Sequence, residues 1–202
     1  MNVLLLVPPE ATYIKASVDS ALDRGREHRP FLGILSVATT LHSLRPLVNL
    51  RVLDCRAEEL DRAGLEAAVR EFQPDLVGIT SLTFFYPDAL AAAAAVKQAW
   101  PAAKVCLGGF HPTLYPLETL AQPTVDYVIF GEGEFTLVEL VDALAGGAGD
   151  LRGIQGLGFK GPQGALRNDP RPLTASLDEI THADYALVDY TKYCHVIGNP
   201  GA

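Results

Sequence analysis

The chain has 202 residues, of which 49% are apolar and 20% charged, and its formal net charge is −8. This is the composition of a globular protein with one large domain, or one domain and an extension, and it excludes disordered, collagen-like and membrane proteins. Because the charge is acidic, we expect no general binding to nucleic acid. The start MNVLLLVPPE has no basic segment and no stretch approaches 18 apolar residues, so the sequence predicts a cytoplasmic protein without membrane contact.

The cysteines give no metal-binding pattern. Cys55, Cys106 and Cys194 are far apart, and neither CxxC nor CxxxCxxC spacing occurs. A self-contained zinc or iron–sulfur site is therefore not predicted, and the odd count without a disulfide pattern fits a reducing cytosol.

Short apolar runs alternate with longer helical segments over residues 1–150. The predicted strands are Val3–Val7, Leu50–Cys55, Leu76–Ser81, Lys104–Leu107 and Asp126–Phe130. The predicted helices are Phe31–Leu44, Arg62–Phe72, Pro87–Trp100, Pro116–Ala121 and Glu134–Ala145. Such alternation implies right-handed crossovers between parallel strands. The sequence therefore predicts an α/β fold, a doubly wound (Rossmann-like or flavodoxin-like) five-stranded parallel sheet with helices on both faces.

The pattern changes over residues 151–202. Gly156–Lys160 and Ala165–Asn168 flank a Gly-Pro-Gln-Gly turn and predict a short β-hairpin. From Asp169 the chain has no clear period, which is typical of a linker that leads to a domain absent from this chain.

A ligand of such a sheet binds outside the carboxyl ends of the strands. The loop after the first strand reads Pro8-Pro9-Glu10 and lacks the glycine pattern of dinucleotide and phosphate sites. The remaining candidates are the runs TSLT at 80–83, GGFHPT at 108–113 and GEGE at 131–134. Two consecutive glycines let a flat ligand approach the backbone, and the hydroxyls of TSLT suit a ligand tail between the sheet and a helix.

The runs GGFHPT and VDYVIFGEGEFTLVEL, with PFLGILSVATTL near the start, resemble the cobalamin-binding domain of cobalamin-dependent radical SAM enzymes. The resemblance implies a corrinoid across the carboxyl ends of the strands, with its nucleotide tail inserted beside the sheet. It also implies a radical SAM domain in cis, most often of a methyltransferase, that supplies the iron–sulfur cluster and S-adenosylmethionine.

Nine residues are the candidate cofactor contacts, and no catalytic or metal-binding residue is predicted. They are Ser81, Leu82, Thr83, Gly108, Gly109, His111, Gly131, Glu132 and Gly133. For His111 a packing or capping role is equally open, and for Glu132 a role at the start of a helix. Gly108 and Gly109 also fit a simple turn.

Two motifs of related proteins are missing. Cobalamin domains that ligate cobalt carry D-x-H-x-x-G after the first strand, whereas the only histidine in that loop here is His28. We therefore expect cobalamin held with its base off and without a protein histidine ligand. The radical SAM motif CxxxCxxC is also absent, so the chain is read as a truncated or a free-standing module. Two alternatives stay open: a cofactor-free interaction scaffold, and a stand-alone cobalamin carrier or sensor that docks a separate partner protein.

Overall fold

The computed structural model describes residues 1–10, 29–147, 150–162, 164–176, 180 and 182–193. Elements are numbered along these residues. None of the helices described is long and apolar enough to cross a membrane. His28 and Cys194 lie outside the described residues.

Seven described strands form one sheet in the order β2-β1-β3-β4-β5-β6-β7. They are β1 (Asn2–Val7), β2 (Asn49–Asp54), β3 (Leu76–Thr80), β4 (Lys104–Gly108), β5 (Tyr127–Ile129), β6 (Leu157–Gly161) and β7 (Gly164–Arg167). The first five pair in parallel, which confirms the predicted doubly wound sheet. Residues 3–7 of β1 are at most 2% exposed, because helices cover this central strand on both faces.

Six described α-helices cover the sheet. They are α1 (Leu32–Leu44), α2 (Arg62–Phe72), α3 (Tyr86–Ala99), α4 (Phe110–Leu114), α5 (Pro116–Leu120) and α6 (Glu134–Ala145). Helices α1 and α6 pack on one face, where Leu41 and Leu140 are fully buried. Helices α2 and α3 pack on the other face through Leu65 and Val96. Each such leucine or valine contributes about 1.5–3 kcal/mol by leaving water.

Local sequence explains the helix ends. Asp61 caps α2, since its carboxylate accepts a hydrogen bond from the backbone N–H of Gly64. Pro87 stands in the first turn of α3, where its missing N–H leaves no bond unmade. Helix α4 was not predicted, because five residues that include Pro112 are too short to show a helical period.

The hairpin joins the main sheet. Strand β6 pairs antiparallel with β5, and β7 pairs antiparallel with β6. The sequence predicted the hairpin but placed it after a five-stranded sheet, whereas the described sheet has seven strands. The pairing of β5 with β6 joins residues about 30 apart along the chain, which no local pattern reports.

The segment after β7 crosses the molecule. Thr174 contacts the loop after β5 through Glu132, and the backbone N–H of Asp184 donates to the Thr39 hydroxyl of α1. Lys192 then pairs with Glu58 beyond β2 at 3.1 Å. The predicted linker is therefore held against the domain at several points along residues 174–192.

Strand order reverses direction between β1 and β3. The chain steps outward from β1 to β2 on one side, and from β3 through β4 to β5 on the other. Because consecutive crossovers diverge at this point, a crevice opens at the carboxyl edge between β1 and β3. The candidate site lies beside this crevice, against β3, β4 and β5.

Candidate cofactor-binding site

A slot of about 240 Å³ lies between the sheet and helices α1 and α6. It opens at the carboxyl edge of the sheet beside the reversal of strand order. Its lining residues come from β1, β3, β4, β5, the two helices and the GEGE turn. They are Leu5, Gly33, Ile34, Val37, Gly78, Ile79, Thr80, Cys106, Gly108, Gly109, Ile129, Gly131, Glu132, Gly133, Glu134 and Leu137.

The sheet wall of the slot has an inner and an outer row. In the inner row Leu5 pairs with Gly78, which pairs with Cys106. In the outer row, two residues nearer the edge, Thr80 pairs with Gly108. Because a strand rises about 3.3 Å per residue, the inner row lies about 7 Å farther from the carboxyl edge of the sheet than the outer row. Gly78 is half-buried in a strand whose other apolar residues are at most 1% exposed, because the slot reaches its backbone.

The two glycines that follow Leu107 have different environments. A Cβ on Gly108 would meet nothing closer than 3.9 Å, so this residue leaves free space in the slot. Gly109 has φ +102°, and a Cβ there would lie 2.8 Å from the backbone oxygen of Ser81. Gly109 therefore permits close packing of the chain against itself, and Gly108 leaves room for a ligand.

Hydrogen bonds hold the rim of the slot, the GEGE turn at 131–134, to three other segments. The backbone N–H of Gly131 donates to the Thr113 hydroxyl, which donates to the Gly109 carbonyl. Glu134 accepts a 2.7 Å bond from the Ser36 hydroxyl of α1. Glu132 accepts from the backbone N–H and the hydroxyl of Thr174. Both carboxylates are thus occupied with positioning the turn.

Ser81, Leu82 and Thr83 lie outside the slot lining. Ser81 is 1% exposed and its hydroxyl donates to the Leu82 carbonyl at 3.4 Å. Its backbone holds the strand ends together, since its N–H donates to Gly108 and its carbonyl accepts from His111. Leu82 lines a hollow of about 20 Å³ at the ends of β1 and β3, and Thr83 is exposed. Contacts of these three residues with a cofactor stay predictions.

His111 is 6% exposed and lies within an aromatic cluster. Its ring stacks on Tyr86 with centroids 3.7 Å apart, and Tyr115 lies 5.2 Å away. Neither ring nitrogen has a hydrogen-bond partner among the described residues, and His111 does not line the slot. This environment agrees with the packing role left open by the sequence. A direct cofactor contact of His111 stays a prediction.

The two described cysteines, Cys55 and Cys106, are buried and neutral. Burial raises the pKa of the Cys106 thiol at the slot wall, and burial with nearby Asp54 and Glu58 raises the pKa of Cys55 to about 12. A neutral thiol is a weak nucleophile and a poor metal ligand. Within the described residues no group of three or more His, Cys, Asp or Glu side chains is arranged to hold a metal ion.

A larger groove of about 610 Å³ lies between α2, α3 and the loops after β1 and β2. Its lining is rich in charged side chains, and Arg56 there bridges Asp54 and Glu10 at 3.2 Å while stacking on Phe31. These ion pairs fix the loop ends to each other. The groove lacks the glycine-lined wall that distinguishes the slot.

A family model described as the B12 binding domain matches residues 25–141, more than half of the chain. The chain belongs to this family. The match includes the slot residues of β3, β4, α1 and the GEGE turn, and it confirms the resemblance seen in GGFHPT and VDYVIFGEGEFTLVEL.

Curated relatives of this B12-binding domain are longer than the chain. An uncharacterised methyltransferase of Pyrococcus horikoshii is 36% identical over 195 residues, 96% of this chain and 40% of that protein. The anaerobic magnesium-protoporphyrin IX monomethyl ester cyclase of Rubrivivax gelatinosus is 28% identical over 148 residues, 71% of this chain and 26% of the cyclase. The chain therefore spans two fifths or less of these relatives.

A solved structure shares the fold. It is the radical S-adenosylmethionine methyltransferase TsrM of Kitasatospora setae with cobalamin and an iron–sulfur cluster bound. The TM-score is 0.64 at 22% identity, over 91% of this chain and 31% of TsrM. At this identity the likeness establishes the fold alone.

The sequence missed much of the slot. Gly108, Gly109, Gly131, Glu132 and Gly133 were predicted and line it together. The missed residues belong to the strands, the helical side and the end of the GEGE turn; they are Leu5, Gly78, Ile79, Thr80, Cys106, Ile129, Gly33, Ile34, Val37, Leu137 and Glu134. One signal was available, since Gly33, Ile34 and Val37 fall in PFLGILSVATTL, a run already noted for its resemblance to the family.

Proposed function

We propose that this B12-binding domain binds cobalamin, with the nucleotide tail in the slot and the corrin across the carboxyl edge of the sheet. The slot carries the proposal, because it opens at the carboxyl edge of the sheet beside the reversal of strand order, and open α/β sheets bind ligands at this edge. At Gly108 its wall has no side chain and a Cβ would meet nothing closer than 3.9 Å, so a flat group can approach the backbone there. Bound cobalamin supplies methyl-carrying cobalt chemistry, while the chain binds and orients it.

The slot residues fit a nucleotide tail in size and polarity. A volume of about 240 Å³ suits a planar bicyclic group and is far too small for a corrin. The corrin would therefore lie outside the mouth. The apolar lining favours burial of a ring, and the Thr80 hydroxyl of the outer row offers a polar group near the mouth.

We further propose that cobalamin is held base off, without a protein histidine on cobalt. A lower base inserted in the slot is not available to the metal. Of the described histidines, His42 lies in the last turn of α1, His111 is stacked on Tyr86, and His182 is exposed; none of them lines the slot. The string D-x-H-x-x-G is absent from the sequence.

We also propose that the chain is one domain of a longer methyltransferase, in which a radical SAM domain in cis supplies the iron–sulfur cluster and S-adenosylmethionine. The support is the methyltransferase relative that matches 96% of the chain at 36% identity. The cyclase relative supports cyclisation as a second candidate. A CxxxCxxC motif in the adjoining gene sequence, with transfer of labelled methyl from S-adenosylmethionine, would support the first candidate. A missing motif would favour the stand-alone carrier.

Binding of cobalamin to the purified chain tests the proposal. Titration followed by absorbance should show saturable binding, and Gly108→Val should weaken it at least about tenfold by placing a branched side chain in the slot. The matched control is Gly153→Val, where a Cβ meets nothing within 4 Å and which lies outside the slot. If the parent chain does not bind cobalamin, the alternative of a cofactor-free interaction scaffold would be favoured. Equal binding by Gly108→Val and parent would place the tail elsewhere.

Electron paramagnetic resonance tests the state of the lower face. The Co(II) form bound to the chain should give a base-off spectrum without nitrogen superhyperfine splitting. Nitrogen splitting would contradict the proposal, and its loss in His111→Ala or His28→Ala would then identify the ligand.

A further inference from the structure

The deep part of the slot carries no side-chain oxygen or nitrogen among its described lining residues. The inner row consists of Leu5, Gly78 and Cys106, and the backbone of these strands is engaged in the sheet ladder. Leu137 and Val37 line the slot from the helices, and the Val37 side chain lies beside Gly133 of the rim. The polar side chains of the lining, those of Thr80 and the two glutamates, belong to the outer row and the rim.

This arrangement penalises polar substituents on a ring that reaches the inner row. A hydroxyl or amino group there would leave water without gaining a hydrogen bond, since the thiol of Cys106 is only a weak partner. A methyl group at the same position would gain from burial. The half-buried state of Gly78 supports this depth, because the slot reaches its backbone in mid-strand.

We infer that the slot selects corrinoids by their lower base, accepting alkyl-substituted benzimidazoles and rejecting bases with a hydroxyl or amino group on the ring. The inner row of Leu5, Gly78 and Cys106 determines this specificity. The inference rests on the proposed function, because it requires the nucleotide tail to enter the slot.

The decisive comparison uses two corrinoids that differ in one substituent. Their lower bases are 5-methylbenzimidazole and 5-hydroxybenzimidazole, which share the ring system and its coordinating nitrogen, so detachment from cobalt costs them nearly the same. We expect the full chain to bind the hydroxy form about tenfold more weakly, the effect of one unpaired buried polar group. Equal affinities would overturn the inference while leaving cobalamin binding intact.

Cobinamide, which has no nucleotide tail, separates this inference from the proposed function. It should bind much more weakly than cobalamin. Cobinamide binding as tight as that of cobalamin would show that the tail does not use the slot, and the inference would then fail although a corrinoid binds. No binding of any corrinoid would refute the proposed function itself.

Isosteric substitutions test whether the apolar lining is the cause. Cys106→Ser brings a hydroxyl to the inner row without adding bulk, and we expect it to reduce the methyl-to-hydroxy preference at least about threefold. Val138→Thr is the matched control, because Val138 is 5% exposed in the same core but does not line the slot. A preference unchanged in Cys106→Ser would overturn the assignment of specificity to the inner row.

Discussion

Gly108 and Gly109, at the end of β4, have different structural roles. Gly108 leaves a wall of the slot open, whereas Gly109 adopts φ +102° and packs against the backbone of Ser81. The sequence predicted the pair as a place where a flat ligand approaches the backbone. It could not separate the two residues, because the difference depends on Ser81, which is 28 positions away and reaches Gly109 only through the pairing of β3 with β4.

Alanine substitutions at these glycines should differ in stability. Gly109→Ala is expected to lower the free energy of unfolding by about 2 kcal/mol or more, from the left-handed backbone and the 2.8 Å approach to Ser81. Gly108→Ala should cost less than about 1 kcal/mol, because its Cβ has space. Urea unfolding of both variants checks this. Similar losses in both would contradict the assigned roles.

Among the elements, nearly all were predictable from the sequence, including the five-residue helix α5, and the exception is α4. Each of the five parallel strands and the longer helices was predicted to within a few residues, because covered strands are continuously apolar and these helices have clear ends. Helix α4 is too short for a period, and yet it supplies Thr113 to the rim of the slot. The placement of the hairpin beside β5 also required long-range pairing.

The hydroxyl of Thr113 in α4 is hydrogen-bonded to Gly109 after β4 and to Gly131 of the GEGE turn. Thr113→Val removes the acceptor for the Gly131 N–H and the donor to the Gly109 carbonyl. We expect a loss of about 1 kcal/mol in the free energy of unfolding and faster hydrogen exchange at the Gly131 amide. Thr113→Ser keeps the hydroxyl and should behave like the parent. Unchanged exchange in Thr113→Val would show that the rim is held by its other bonds.

At the scale of the whole molecule, two buried thiols make stability depend on pH. Burial raises the pKa of Cys106, and burial with nearby carboxylates raises that of Cys55 to about 12, from 9.0 for a free thiol. A thiol with a raised folded pKa contributes its full stability below about pH 9. That contribution is lost as the pH rises, because only the unfolded chain releases the proton.

The free energy of unfolding should therefore fall between pH 9 and 10, with a slope approaching about 1.4 kcal/mol per pH unit for each thiol. Cys55→Ala and Cys106→Ala should each make the decline shallower. Urea unfolding at closely spaced pH values measures this slope independently of any constant loss from the substitution. If the fall of the free energy of unfolding with pH is unchanged in both variants, other titratable groups cause it.

The antiparallel hairpin also affects the tendency of the molecule to self-associate. Strand β5 has only three residues, Tyr127–Ile129, and β6 occupies the side of it that faces away from β4. Without β6, the N–H and C=O groups on that side of an apolar strand would be unpaired, and such an edge is a template for intermolecular pairing. The sheet ends instead at β7, four residues with a glycine and an arginine, which is a poor surface for self-association.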